Sequence, residues 1–471
     1  MASGVQVRVL GTTCVPLLRP PPPHLEQIPL SFFDAWFLPL PPIQRIFLYD
    51  GDGADDTSFP SLVRALKSSL ADAIAVFFPL AGKLTYLPST GDVVVDCSPS
   101  AVGAGVAFVE AEASGGDARL LSGEATHDVP AFLGLVPSLE ASELPAPVLA
   151  VQVTRFVDGG GLAVGVAIHH AVADGHSFWR FMAAWSAVAR GGAFPVALAP
   201  TFDRSAIVHP IPMATEMARD LLRKLTPELP MIPTANWLRR TWLQHETTTL
   251  ELDRHQIEHL KNRIAEGEMT RTAPRPSTFV AVSALVWSSA VQARSLDPGA
   301  ATRLVFQGDC RRRLDPPVGE GYFGNCIKGC VAEAAAGDLQ LHGGGGGGVV
   351  GAAKAIRKAI DEFVARPLDE FARAGRVWGS RAWWPWWPRR GSCPTRRTWV
   401  GARRAGWSTS RRARPRAWWS SRAGGRTTSC RSRRASVRCI CRRSDRASLI
   451  LWRDLCVCVF GVQCVANLCY S

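Results

Sequence analysis

The sequence predicts an α/β protein of two domains, and three observations carry that reading. At 471 residues the chain exceeds one ordinary domain and suits two of about 200 residues each. Hydrophobic residues make up 47%, enough to fill real cores. Short apolar strands and helical stretches both occur, and a segment with six prolines, Ala199 to Pro233, reads as a crossover between two sets of them.

The elements follow in order. Leu18 to Pro42, rich in proline and apolar residues, reads as an extended arm rather than a helix. Leu62 to Phe78 has helical spacing and stops before Pro79. Val93 to Val95 reads as a short strand. Pro147 to Phe156 and Leu162 to Ile168 flank the turn Asp158-Gly159-Gly160-Gly161, and the unbroken apolar run of the second marks a hairpin strand buried on both faces. A helix opens at Gly175, with Phe178, Phe181, Met182, Trp185 and Val188 along one stripe. Ser277 to Ala293 is a further apolar helix, and Leu304 to Gln307 a further strand. The glycines Gly343 to Gly348 read as a flexible surface loop. No internal repeat is visible. No run of about 20 apolar residues marks a membrane span. The N-terminus lacks the apolar region of a secretion signal, so the expected location is cytoplasmic.

Charge divides the chain. The net charge is +14, yet residues 377–471 alone hold 21 arginines against Asp445 and Asp454, a net +19. The first 376 residues therefore carry −5. Cysteine divides the same way: Cys14, Cys97, Cys310, Cys326 and Cys330 precede Val377, and the other eight crowd behind it. The early ones lack zinc spacing and fit a reducing compartment; the late ones form no CxxC pair and have no histidine nearby, so no metal site is expected.

The chemistry concentrates in His169-His170-Ala171-Val172-Ala173-Asp174-Gly175. His170 sits where a buried strand has ended and a helix has not begun, an edge that presents a side chain to a crevice while the scaffold holds it. Its reference pKa near 6.5 suits a general base at neutral pH. Gly175 removes a side chain where backbone or ligand comes close. The competing reading is a histidine merely satisfied in a core. Ser177, at a helix start, reads as a cap rather than a nucleophile.

Several motifs stand in order around this segment. Phe78-Pro79-Leu80-Ala81-Gly82-Lys83-Leu84 resembles an FPLAG(R/K)L motif, and Ser277-Thr278-Phe279 through Trp287 an STF…W helix. Asp309-Cys310-Arg311-Arg312-Arg313 with Pro316-Pro317 resembles DxRxRxxPP, and Tyr322-Phe323-Gly324-Asn325-Cys326 matches YFGNC. With HxxxDG at His170, they resemble the plant BAHD acyltransferases, in the branch that acylates flavonoid and phenolic glycosides. The resemblance implies two similar chloramphenicol-acetyltransferase-like domains, each a mixed sheet with helices, and a central channel. It implies acyl-CoA as co-substrate, a small-molecule hydroxyl acceptor, no other cofactor, and a monomer without nucleic-acid or membrane partners. His170 is then the catalytic base. Asp174 points away from substrate and pairs with Arg311 or Arg313. Gly175, Ser277, Thr278 and Asn325 are placed at the substrate and CoA channel, Asn325 either capping a turn or touching ligand. The expected domains are residues 1–200, carrying HxxxDG, a crossover linker at 201–233, an incomplete C-terminal domain at 234–376, and an aberrant Arg/Trp/Cys-rich tail at 377–471.

The pattern departs in that tail. A DFGWG motif should follow residue 376 and is absent; instead come Trp383-Trp384-Pro385-Trp386-Trp387 and arginine-rich sequence. Reading each codon from the third base of the one before, Arg397-Thr398-Trp399-Val400-Gly401-Ala402 permits Asp-Leu-Gly-Trp-Gly, with its first glycine fixed by the genetic code. The tail therefore reads as a frame-shifted and disordered product. Two alternatives follow: an acyltransferase fold made inactive or unstable by its tail, and an Arg-rich nucleic-acid binder through Arg411 to Arg443, for which no aromatic-basic fold motif is present. A peptide-synthetase condensation domain shares HHxxxDG but not YFGNC.

Overall fold

A computed structural model describes residues 4–49, 59–118, 121, 126–158, 160–207, 214–232, 247–267, 274–340 and 347–368, together with the strands at 407–408, 446–452, 456–459 and 464–470. The chain begins with β1 (Gln6–Val15), β2 (Gln27–Pro29), α1 (Phe32–Ala35), β3 (Ile43–Tyr49) and α2 (Phe59–Val76). Next come β4 (Lys83–Leu87), β5 (Asp92–Asp96), α3 (Pro99–Val102), β6 (Val106–Ser114), β7 (Thr126–His127) and α4 (Val129–Gly134). The first half closes with β8 (Ala146–Pro147), β9 (Leu149–Phe156), β10 (Leu162–Ile168) and α5 (Gly175–Ala189). The second half holds α6 (Ala214–Leu225), β11 (Thr247–Asp253), α7 (Arg254–Gly267), α8 (Thr278–Ala293), β12 (Ala301–Asp309), β13 (Ile327–Ala335), α9 (Ala336–Leu339) and α10 (Gly347–Ala365).

The scaffold of the first half is a mixed sheet. Its order is β1-β6-β9-β10-β3, with β6 and β9 parallel and the other neighbours among these five antiparallel. Strand β10 lies between β9 and β3, with Val164 opposite Val153 on one side and Phe47 on the other. Its side chains alternate between two cores. Leu162, Val164, Val166 and Ile168 join the cluster of α2 and α5, while Ala163 packs with Phe132 and Leu135 on the opposite face. Both faces are covered, which is why the strand reads as an unbroken apolar run. Gly165 marks a close backbone approach: a Cβ there would lie 2.1 Å from the Leu135 carbonyl oxygen.

Helix α5 follows from its stripe. Phe178, Phe181 and Trp185 are buried, and the Trp185 indole donates to Ser69 of α2 at 3.1 Å. Each such aromatic contributes about 1.5–3 kcal/mol through burial. In the second half, β12 pairs with β13, α10 packs on β13, and α8 packs on α10. The main buried cluster runs from Phe181 and Trp185 through Phe323 to Trp287 and Ile356, so both halves share one apolar core.

In four segments the structure adds elements that the sequence reading did not place. The proline-rich arm contains α1, whose Ser31 accepts from the Asp34 N–H while the Asp34 carboxylate accepts from the Ser31 N–H. The 201–233 crossover contains the 12-residue α6, which buries Ala218, Leu221, Leu222 and Leu225. No proline falls within the helix, and Pro227 follows two residues past its end. Of the glycine run, 343–346 lie outside the described residues, whereas Gly347 and Gly348 open α10. Most of the tail also lies outside them. Its described backbone forms β14 (Trp407–Ser408), β15 (Arg446–Trp452), β16 (Cys456–Val459) and β17 (Cys464–Tyr470), of which β14 lies parallel to β3, β15 pairs with β11 and β17 with β12. Among the described residues no helix is long and apolar enough to cross a membrane.

Candidate active site

The turn after β10 is fixed by its backbone. The His169 N–H donates to Val148 O at 2.8 Å, and the Val172 N–H to His169 O at 3.0 Å. Asp174 then caps α5, accepting from the Ser177 N–H at 3.0 Å. His169, Ala171, Val172, Ala173 and Asp174 are buried, and His170 alone between them is partly exposed. Its imidazole lies flat against Phe37, with ring centroids 4.2 Å apart and planes 12° from parallel. Its carbonyl accepts from Asn325 Nδ2 at 2.9 Å.

The two histidines have different roles. His169 Nδ1 accepts from the Ala171 N–H at 3.2 Å, which assigns its proton to Nε2. Burial, aided by the adjacent His170, pushes the His169 pKa down to about 3, so its ring is neutral at physiological pH. That ring is fully buried, and His170 is the one available to a substrate.

Asp174 turns toward the second half. Arg311 Nη1 and Nη2 donate to its two oxygens at 2.8 and 3.1 Å, a bidentate pair with both side chains buried. The Cys326 N–H donates to the same carboxylate at 3.1 Å. Burial alone would raise the Asp174 pKa. The Arg311 charge and hydrogen bonds, with the Ser177 and Cys326 N–H groups, outweigh it and hold the pKa below the ordinary carboxylate range. Arg311 also donates to Gly324 O at 3.0 Å. Arg313 is elsewhere: it is exposed, donates to Asp309 O at 2.6 Å and covers the Phe363 ring.

Ser177 is not the cap, because Asp174 takes that place. Its hydroxyl instead donates to Gly324 O at 2.9 Å and accepts from the Gly324 N–H at 3.1 Å, fastening α5 to the Tyr322–Cys326 segment. That approach requires glycine: a Cβ on Gly324 would lie 2.9 Å from both Arg204 Nη2 and the Tyr322 hydroxyl oxygen.

A second buried ion pair stands beside the first. Arg204 Nε lies 3.1 Å from Asp34 Oδ2, and Arg204 Nη1 donates to Phe323 O at 2.7 Å. Burial would lower the Arg204 pKa, but Asp34 more than compensates and keeps the guanidinium charged. Asn325 ties this second pair to the His170 turn, whose carbonyl it also binds. Its N–H and Nδ2 donate to Asp34 Oδ1 at 2.8 and 3.0 Å. The sequence reading missed Asp34 and Arg204. The capping-box pattern Ser31-Phe32-Phe33-Asp34 was the available signal for the first; nothing local marked the second.

The remaining expected residues stand at helix starts. Gly175 is the buried first residue of α5. Ser277, exposed, caps α8 by accepting from the Val280 N–H at 3.2 Å, and Thr278 begins that helix. Among the described residues neither hydrogen-bonds to the His170 group, and no cluster of His, Cys, Asp and Glu suited to a metal ion occurs. A cleft of about 580 Å³ between α7, β13 and α10, lined by Glu333, Asp338 and Lys354, includes none of the residues above.

Comparison with known proteins agrees with this arrangement. Residues 13–358 match the Transferase family. The chain is 31% identical over 356 residues to phenolic glucoside malonyltransferase 2 of Arabidopsis thaliana, covering 74% of this chain and 76% of that one. It is 33% identical over 380 residues to malonyl-coenzyme:anthocyanin 5-O-glucoside-6'''-O-malonyltransferase of Salvia splendens, covering 77% and 76%. Its fold is that of vinorine synthase, with a TM-score of 0.54 at 21% identity over 75% of this chain and 76% of the other. The chloramphenicol-acetyltransferase-like architecture implied by the motifs is thus present. By its motifs, its fold and its relatives, this chain belongs to the BAHD acyltransferases, in their malonyltransferase-like branch.

Proposed function

We propose that this chain is an acyl-CoA-dependent O-acyltransferase that moves a malonyl or hydroxycinnamoyl group to a hydroxyl of a phenolic or flavonoid glycoside, with His170 as general base. One observation carries the assignment of roles. Both oxygens of Asp174 are engaged by Arg311 and by backbone N–H groups, so the carboxylate supports the turn and leaves the proton to the imidazole. His170 takes the acceptor hydroxyl proton as that oxygen attacks the thioester carbonyl. The tetrahedral intermediate collapses, the C–S bond breaks, and the imidazolium returns its proton to the departing CoA sulfur. A thioester is already activated, so no acyl-enzyme is needed. The glycoside acceptor and the malonyl donor are supported by the two malonyltransferase relatives.

The test is direct. The full chain is incubated with malonyl-CoA or p-coumaroyl-CoA and a panel of phenolic glucosides, and products are read by mass spectrometry. Acylated glucoside that disappears in His170→Ala supports the proposal; a folded chain that transfers neither group to any acceptor contradicts it. The alternative reading, an acyltransferase fold left inactive by its tail, rests on the absent DFGWG motif and predicts that second outcome. A monomer without nucleic-acid or membrane partners completes the reading, in the cytoplasm, a location supported by the five free cysteines among the described residues.

A further inference from the structure

We propose that Asn325 is a positioning residue for His170, acting through Asp34 and Phe37 to hold the imidazole in place. The inference rests on the reading of His170 as the base. Asn325 is fully buried, so it acts through its neighbours rather than on a substrate. Its Nδ2 has two acceptors: the His170 carbonyl at 2.9 Å and Asp34 Oδ1 at 3.0 Å. Both neighbours accept, so the amide has one workable orientation; reversed, its oxygen would face a carbonyl and a carboxylate.

Asp34 carries the connection onward. It lies in α1, a single turn of four residues that cannot hold its place alone. Its ties to Asn325 and Arg204 anchor that turn. The Asp34 carbonyl accepts from the Phe37 N–H at 3.0 Å, so the place of Phe37 follows from that of Asp34. The Phe37 ring then lies on the His170 imidazole. The imidazole face and the carbonyl of the same residue are therefore both referred to one turn, and Asn325 closes the loop. A base must be held to within a fraction of an ångström of its working position, and this closed path is what the structure offers to hold it there.

Nuclear magnetic resonance of the full chain with isotope-labelled histidine tests this without turnover. The His170 ring signal is assigned by its loss in His170→Ala, and Phe37→Leu marks where it lies without the ring current of a stacked neighbour. Asn325→Ala should move the signal toward the Phe37→Leu position although Phe37 is still present. A signal that stays at the wild-type position overturns the proposal. Should Asn325→Ala fail to fold, Asn325→Ser, which keeps one donor, should displace the signal the same way and is judged by the same rule. In the acyl-transfer assay, Phe37→Leu should lower kcat by about tenfold or more with little change in KM for acyl-CoA, and Phe37→Tyr should restore it. Equal kcat in Phe37→Leu and wild type also overturns the proposal. A chain with no activity at all refutes the acyltransferase reading and leaves the resonance test to decide this one.

Discussion

The Arg311 guanidinium meets the Asp174 carboxylate edge to edge, at 2.8 and 3.1 Å, across the junction between the two halves of the chain. This fork joins the start of α5 to the segment between β12 and β13. It accounts for the aspartate of HxxxDG without giving that residue any part in proton transfer. Breaking such a pair leaves one charge buried and uncompensated.

Asp174→Asn and Arg311→Met should each lower unfolding stability by about 3–5 kcal/mol, measured by denaturant titration. Arg311→Lys keeps the charge but loses the fork, and should fall between them and wild type. The pH dependence has a definite sign. The folded pKa of Asp174 is depressed, so its contribution is present above the unfolded value near 3.9 and lost as pH falls below it. That loss should be absent from Asp174→Asn.

His170→Ala should reduce turnover by about 10²-fold or more while CoA affinity stays close to wild type, because a base acts on the transition state rather than on ligand binding. Calorimetric CoA binding and steady-state rates separate the two. Turnover within about tenfold of wild type would remove His170 from the role.

His169 predicts a second pH effect of the same sign. Its folded pKa is pushed down to about 3 from an ordinary value near 6.5. Stability from keeping it neutral is full above about 6.5 and is lost as pH falls toward 3, by several kcal/mol in total. His169→Gln should flatten the unfolding midpoint over that window. A profile as steep as wild type would show that other groups cause it.

The transcript should encode a different C-terminus. Shifting the frame near residue 377 permits Asp-Leu-Gly-Trp-Gly across Arg397 to Ala402. A chain with the frame restored should unfold at higher denaturant concentration, since lost core contacts readily consume the ~5–15 kcal/mol that keeps a domain folded. Transcript sequencing that returns the Arg/Trp-rich tail, with a soluble and active product, defeats this.

The sequence alone determined the elements whose signal is local. The run Leu162–Ile168, flanked by a glycine turn, read as a strand covered on both faces, and the Phe178–Trp185 stripe as a helix with one buried side, because period and burial are written in adjacent residues. The HxxxDG and YFGNC segments singled out His170, Asp174 and Asn325 through their resemblance to family motifs. Tertiary structure decided the partners. Arg311 and Arg313 are two residues apart with the same chemistry, and only the fold turns the first inward to Asp174 and leaves the second in solvent. Asn325 lies 291 residues from Asp34 in sequence, and no local pattern encodes their bond. Hydrogen bonds and ion pairs act over about 3 Å in space, whatever the separation along the chain. A local reading can therefore name the residues of a site, but only the folded chain shows which of them meet.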